Sequence, residues 1–371
     1  MPKPARLFRY LEPTFFAGLL DDPVLLVRIR PLGRSLLFDC GQIHHLAKRV
    51  LKRIEAIFIS HAHMDHFMGI DTFIRNVLVS PRTFELFGPP GLADKLQHKL
   101  GGYDWNLAER FWCSLRVHEI HEHHTVNWLF SGPEGFARRL EGEITRGDAV
   151  VYRNDYLQVE ACHADHKIPV LMFRCRERPS FGVNDEAIEA AGMVRGAWLA
   201  ELKKRFYRRF VEECLLSVLF RRGDRVVEEQ VDAAELYRRI CRNRAPAGLG
   251  YVTDIGFTPA NIEKVTGFLG NSTLLIAECA FLHEDVAKAR NSYHLCTDDL
   301  NHILDRLRPG HFLPMHLSKT YNGRVDQLYR ELRMPEGVAL LKLPEHLLPR
   351  PLFPSEVPPP ERGYPGTRGE G

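Results

Sequence analysis

The chain lacks an apolar run of membrane-spanning length, a CxxC pair, an internal repeat and any large excess of one charge. Each absence removes a class of function. A bilayer-crossing helix needs about 20 consecutive apolar residues, and the short stretch 15–20 meets Asp21 and Asp22 too soon for a secretion signal. The eight cysteines, Cys40, Cys113, Cys162, Cys175, Cys214, Cys241, Cys279 and Cys296, lie far apart. That scatter argues against a disulfide framework and for free thiols in a reducing compartment. Together these readings point to a cytoplasmic protein with no membrane partner. Lysine and arginine (50) barely outnumber aspartate and glutamate (47), so a polyanion would be met by a local patch, not by the whole surface. What remains suits a globular enzyme: 371 residues, 44% hydrophobic and 26% charged, enough for a large core in one or two domains.

Residues 60–66, Ser60-His61-Ala62-His63-Met64-Asp65-His66, carry the strongest chemical signal. The β-branched and aromatic run before them, 54–60, reads as a buried strand, which puts the heptad at a strand exit. A loop leaving a rigid strand can aim several side chains into one cleft, whereas a helix turns successive ones apart by about 100°. His61 and His63 can face one ion while Asp65 and His66 face a second. Imidazole with carboxylate suits zinc or a similar divalent metal. Surface turns also carry histidines, but three His and one Asp within six residues form a ligand pattern.

Two ions need more ligands, and later strand ends supply them. Cys162-His163-Ala164-Asp165-His166 follows a strand expected over 157–161 and offers two imidazoles, of which His166 is the favoured ligand. Asp254 ends the strand 250–253 as a candidate bridge, the kind of carboxylate that holds two ions about 3.5–4 Å apart. His316 ends a late apolar run and completes the second ion. Asp148, His163 and Asp165 are candidates for supporting the ligands. Further strands at 24–28, 35–39, 76–79, 149–153, 170–175, 273–277 and 339–342 alternate with helices. The helices are expected from 68 and over 91–100, 185–191, 259–268, 285–290, 297–306 and 324–332. This pattern predicts an α/β fold of two stacked sheets flanked by helices, an αββα sandwich.

These residues resemble the metallo-β-lactamase superfamily and, within it, the ribonuclease Z family of tRNA 3′-end processing endonucleases. Leu37-Phe38-Asp39-Cys40-Gly41 is similar to the family's first motif, which implies that Asp39 orients a ligating histidine. Phe87-Gly88-Pro89-Pro90-Gly91-Leu92, Asp165-His166-Lys167-Ile168-Pro169, Thr253-Asp254 and His316-Leu317-Ser318 resemble later family segments. Glu278 in Ala277-Glu278-Cys279 and His294 in Tyr293-His294-Leu295 resemble loops that serve proton transfer, which makes His294 the candidate general acid assisted by Glu278. The chain departs from the family in four places, one of them after His294, where Leu295-Cys296-Thr297 stands in place of a Ser or Leu directly before Thr. It has no glycine-rich turn after the first strand, Ala277 stands where the family has His, and Gly196-Ala197 replaces a Gly-Pro pair.

The resemblance implies a hydrolase domain over 1–343, an inserted and mostly helical arm at 178–245 that serves as a possible RNA-binding exosite, and a Pro/Gly-rich tail at 344–371. It implies two divalent ions, zinc or manganese. One would sit on His61, His63 and His166 and the other on Asp65, His66 and His316, with Asp254 between them and Asp65 also orienting a hydroxide nucleophile. The implied reaction is phosphodiester cleavage of a tRNA precursor, leaving a 3′-hydroxyl and a 5′-phosphate. A homodimer is the corresponding assembly.

A helix expected over 198–220 has a basic face, with Lys203, Lys204, Arg205, Arg208, Arg209, Arg221 and Arg222 set against Glu201, Glu212 and Glu213. It is either a phosphate-contacting surface or a solvated face. The cluster His118, His121, His123 and His124 lacks partner ligands at metal spacing and reads as a loop without metal. Three alternatives stand beside the nuclease: a hydrolase of a small ester (cyclic nucleotide, lactone or thioester), a non-catalytic RNA-binding module, and a di-iron oxidoreductase, which His63 disfavours.

Overall fold

The computed structural model describes residues 7–207, 215–242 and 245–347. In the first part of the chain, short apolar segments assemble an eight-stranded sheet in sequence order. It runs from Leu11–Phe15 through Leu25–Ile29, Arg34–Phe38, Ile54–Phe58, Thr83–Gly88, Ser114–Ile120 and His124–Ser131 to Arg138–Thr145. A second sheet of seven strands orders Ala339–Leu340, His311–Met315, Leu274–Glu278, Gly248–Val252, Pro169–Glu177, Leu157–Asp165 and Val150–Arg153. Their facing sides form one apolar layer in which Phe38 stacks on Phe58 at 4.9 Å and meets Phe173 at 5.8 Å and Tyr251 at 5.9 Å. Separate clusters cover the outer faces. Ile70, Phe73, Leu92 and Leu96 pack on the first sheet, and Ile262, Leu300 and Leu328 on the second. The layering is the expected αββα sandwich.

Strand direction puts the chemistry at one edge. Arg34–Phe38 and Ile54–Phe58 pair in parallel, as do Gly248–Val252, Leu274–Glu278 and His311–Met315. Parallel strands expose their C-terminal ends together, and ligands in such sheets bind beyond those ends. Asp39, the 60–66 segment, Asp254, Glu278 and His316 all follow or end these strands, and Asp65 and His66 lie on the helical turn Met64–Phe67 where a loop was expected. His166 joins them from the turn after Leu157–Asp165.

Two local expectations are corrected. Residues 76–79 were expected as a strand, but Ile70–Val77 is a helix. Ile70, Phe73, Ile74 and Val77 recur at helical spacing and are all buried, while Val79 is 61% exposed, so the 3.6-residue period prevails over the β-branched composition. Of the helix expected over 198–220, Trp198–Tyr207 is helical and Leu215–Arg222 is instead a strand paired with Arg225–Asp232, the residues between them lying outside the described ones. Leu216, Val218 and Phe220 face inward on alternate positions, and Gly223 at φ +64° allows the tight turn between the strands. Where mostly helix was expected, the arm wraps Asp185–Ala190, Trp198–Tyr207 and Ala233–Ile240 around a three-stranded sheet with its own core. It leaves and re-enters the second sheet beside the paired residues Arg176 and Gly248. No helix among the described residues is long and apolar enough to cross a membrane.

Candidate metal centre

Close backbone approach builds the centre. A side chain at Gly41 would meet the Asp65 carbonyl at 2.4 Å, and one at Gly69 would meet the Gly41 carbonyl at 2.2 Å. These contacts clamp the His-rich loop against the Asp39 turn. Asp39 itself has φ 54° and His316 has φ 62°, left-handed values that non-glycine residues rarely adopt. Both lie directly beyond strand ends, where the fold holds them.

The fold brings the side chains expected as ligands from sequence close together. His61, His63, His166 and Asp254 form one group of atoms within 4.8 Å of each other, and Asp65, His66 and His316 form another. Asp254 lies between them. Its Oδ2 is 3.4 Å from His61 Nε2, 3.4 Å from His66 Nε2 and 3.8 Å from His166 Nε2, while Oδ1 is 3.4 Å from His316 Nδ1. Asp65 Oδ2 is 2.9 Å from His316 Nε2 and 3.7 Å from His66 Nε2.

Supporting hydrogen bonds fix which nitrogen faces inward. Buried Asp39 accepts His66 Nδ1 at 2.9 Å, the Ser60 backbone N–H at 2.7 Å and Ser60 Oγ at 2.9 Å. His166 Nδ1 donates to the Tyr293 carbonyl at 2.6 Å, which leaves Nε2 to the centre. Sequence reading missed two of these supports. Tyr251 donates its hydroxyl to Asp39 at 2.8 Å, for which a tyrosine in an otherwise apolar buried strand is the available signal. The Tyr293 carbonyl is backbone and leaves no trace in residue identity.

The donor set fits divalent ions on two grounds. His66 Nε2 and His316 Nδ1 are buried without a hydrogen-bond partner, an arrangement that costs stability unless a ligand fills it. The local field also favours positive charge. Burial pulls the His66 pKa down, yet the Asp254 and Asp39 carboxylates raise it well above the usual imidazole value. Burial pushes the Asp254 carboxyl up, but His316 and His66 bring it well below the carboxylate range. His61 goes the other way, because burial outweighs its bond to Asp254 and lowers it to about 4, so its ring is neutral and available as a ligand.

His294 and Glu278 adjoin the same site. His294 lies 4.6 Å from the His166 ring, and its Nδ1 is 2.7 Å from Glu278 Oε2. Burial lowers the His294 pKa, but the Glu278 charge and hydrogen bond raise it to about 9. Asp65, His294 and His316 line a cleft of about 330 Å³ with Phe281 and Lys319.

Other candidates lie elsewhere. Asp148 and Asp165 accept backbone N–H groups of Val150 and Lys167 in local turns, and His163 keeps a buried Nε2 without a partner. His118 lies 2.7 Å from Glu85 and stacks on Phe87, and His121 stacks on His124 at 4.3 Å. None of these histidines joins a metal-like group among the described residues. On the arm, Lys204 and Arg205 pair with Glu201 and Arg222 with Glu229, which reduces the free charge of the expected basic face. Arg208, Arg209, Glu212 and Glu213 lie outside the described residues.

Comparison with known proteins agrees with this geometry. Residues 34–149 match the model of a "Beta-lactamase superfamily domain". A ribonuclease Z from Deinococcus radiodurans is 29% identical over 77% of this chain and 83% of its own length. One from Nanoarchaeum equitans is 22% identical over 83% of this chain and 82% of its own. The metallo-β-lactamase fold protein YhfI from Bacillus subtilis superposes with a TM-score of 0.51 at 13% identity, covering 90% of this chain and 97% of its own. The sandwich, the strand-end donors and this match agree, so the chain carries a region similar to the beta-lactamase superfamily domain over residues 34–149 and resembles the ribonucleases Z named above.

Proposed function

We propose that the protein is a metal-dependent endoribonuclease of the ribonuclease Z kind, cutting the 3′ trailer from a tRNA precursor to leave a 3′-hydroxyl and a 5′-phosphate. The observation that carries this reading is the position of Asp254, which presents one oxygen to His61, His66 and His166 and the other to His316. Two zinc or manganese ions, held by His61, His63 and His166 and by Asp65, His66 and His316, would supply Lewis-acid charge and a nucleophile at neutral pH. The chain's own groups do the rest. Asp39 and the Tyr293 carbonyl orient His66 and His166, and Asp65 lines the cleft where a water would be positioned. His294, held by Glu278 beside that cleft, is the group placed to protonate the departing 3′ oxygen. In this reading residues 1–343 form the catalytic body and 178–245 an arm that contacts RNA away from the scissile bond.

The test is incubation of purified protein with a precursor tRNA carrying a 3′ trailer, with and without chelator. Cleavage that disappears with chelator and returns with zinc or manganese is expected. His63→Ala should lose both metal content and turnover. An uncut precursor under replete metal overturns the nuclease reading, and full metal content with full turnover in His63→Ala overturns the ligand assignment.

A further inference from the structure

A cleft of about 730 Å³ lies between the sandwich and the arm, at the opposite end of the strands from the metal centre. Tyr156 precedes the strand Leu157–Asp165 and His166 follows it, so ten residue steps of about 3.3 Å separate the two sites by roughly 30 Å. The volume lies within the range of small-molecule pockets, about 300–1,000 Å³.

Its walls combine rings and unspent cations. Arg9, Arg178 and Lys203 line it, and among the described residues none of the three has an ion-pair partner. Arg178 donates to the Asn154 carbonyl at 3.0 Å, and Arg9 to Ser180 Oγ at 2.7 Å and the Phe181 carbonyl at 3.2 Å. The buried Glu177 carboxylate accepts the backbone N–H groups of Arg9 at 3.1 Å, Tyr10 at 2.5 Å and Leu11 at 2.9 Å and forms no side-chain ion pair with the three cations. Among the described residues of the lining, Asp155 is the one carboxylate against these three cations. Tyr10 and Tyr156 meet edge to face at 5.2 Å, and the Tyr10 hydroxyl lies 3.3 Å from that of Tyr207 across the gap between body and arm. Tyr207 is 47% exposed, so its ring is not core filling.

We propose that this cleft binds a nucleoside phosphate, either free or as the end of an RNA strand. The base stacks on the tyrosine rings and the phosphate meets Arg9, Arg178 and Lys203. The cations favour an anionic ligand and the rings favour an aromatic one. The site lies apart from the metal centre, and only its RNA-strand form rests on the reading of 178–245 as an RNA-contacting arm.

Calorimetric titration of the full chain in EDTA tests the proposal, with AMP, adenosine, inorganic phosphate and a short RNA bearing a 3′-phosphate as probes. Saturable binding of AMP is expected, with adenosine and phosphate each roughly tenfold weaker or more. Lys203→Glu, a change at an exposed helix position, should weaken AMP by roughly tenfold or more, and Tyr207→Ala should weaken it while leaving the thermal midpoint in place. His63→Ala should bind AMP as the wild type does, which separates this site from the metal centre. RNA binding without AMP binding, lost in Lys203→Glu, assigns the cleft to a strand end. Failure of both probes to saturate at millimolar concentration, or unchanged affinity in Lys203→Glu, overturns the proposal.

Discussion

Glu278 Oε2 lies 2.7 Å from His294 Nδ1, while Oε1 of the same carboxylate accepts the backbone N–H of Ile255 at 2.7 Å. One fully buried side chain thus ties the imidazole to the loop that carries Asp254. In the proposed reading Glu278 is a positioning residue, and His294 lines the cleft.

His294→Ala should lower cleavage of a trailer-bearing RNA about 10²- to 10⁴-fold, the usual worth of a general acid. Metal content should be retained. Bis(p-nitrophenyl) phosphate releases a phenolate that departs without a proton, so its turnover should fall far less. Equal losses on both substrates would assign His294 to binding or to ligand placement.

Asp39→Asn should weaken metal affinity about 10- to 100-fold, because the carboxylate that orients His66 loses its charge. Competition against a chelator of known affinity measures this. Tyr251→Phe removes only the hydroxyl that bonds to Asp39, and should cost about 1.5–3 kcal/mol in the urea unfolding of metal-free protein.

Gly256→Ala tests the backbone contact behind His166. An added methyl there would lie 2.6 Å from the Tyr293 ring, whose residue is held at φ 59°. Tyr293 must shift, and its carbonyl then no longer holds His166 Nδ1 at 2.6 Å. Reduced metal occupancy with little loss of secondary structure by circular dichroism is expected. Unchanged occupancy would show that the turn absorbs the methyl.

Glu85 provides a pH test away from the centre. Burial raises its carboxyl, but the hydrogen bond and charge of His118 and the charge of Arg116 bring the net value below the ordinary one. A depressed folded pKa contributes stability that is present above the unfolded value, about 4.3, and is lost as pH falls through the folded value. Urea midpoints of the wild type should therefore decline through this acid window more steeply than those of Glu85→Gln. Parallel pH profiles of the two proteins would exclude the linkage.

Much of the fold and of the ligand set is legible in order along the chain. Strands with short β-branched runs and helices such as Pro259–Phe268 and Thr297–Leu307 follow period and caps, because burial of one face is a local pattern. The arm strand Leu215–Arg222 and the helix Ile70–Val77 did not follow the expectation, since in both the composition suits either element and the packed face decides. The strands Ser114–Ile120, His124–Ser131 and Arg138–Thr145 were not anticipated at all. Arg138–Thr145 is mostly exposed and lacks the apolar alternation that marks a strand.

The sequence by itself determined the donor types and their spacing: His61, His63, Asp65 and His66 within one short segment, with His166, Asp254 and His316 each at a later strand end. Ligand chemistry is a property of side chains and survives without coordinates. Only the tertiary structure decided which donors converge, because packing the two sheets face to face brings strand ends some 250 residues apart to one edge, as in the 2.9 Å contact between Asp65 and His316. The Tyr251 hydroxyl on Asp39, the Tyr293 carbonyl on His166 and the basic, aromatic cleft beneath the arm are likewise products of packing. They depend on distances between segments that no local pattern encodes.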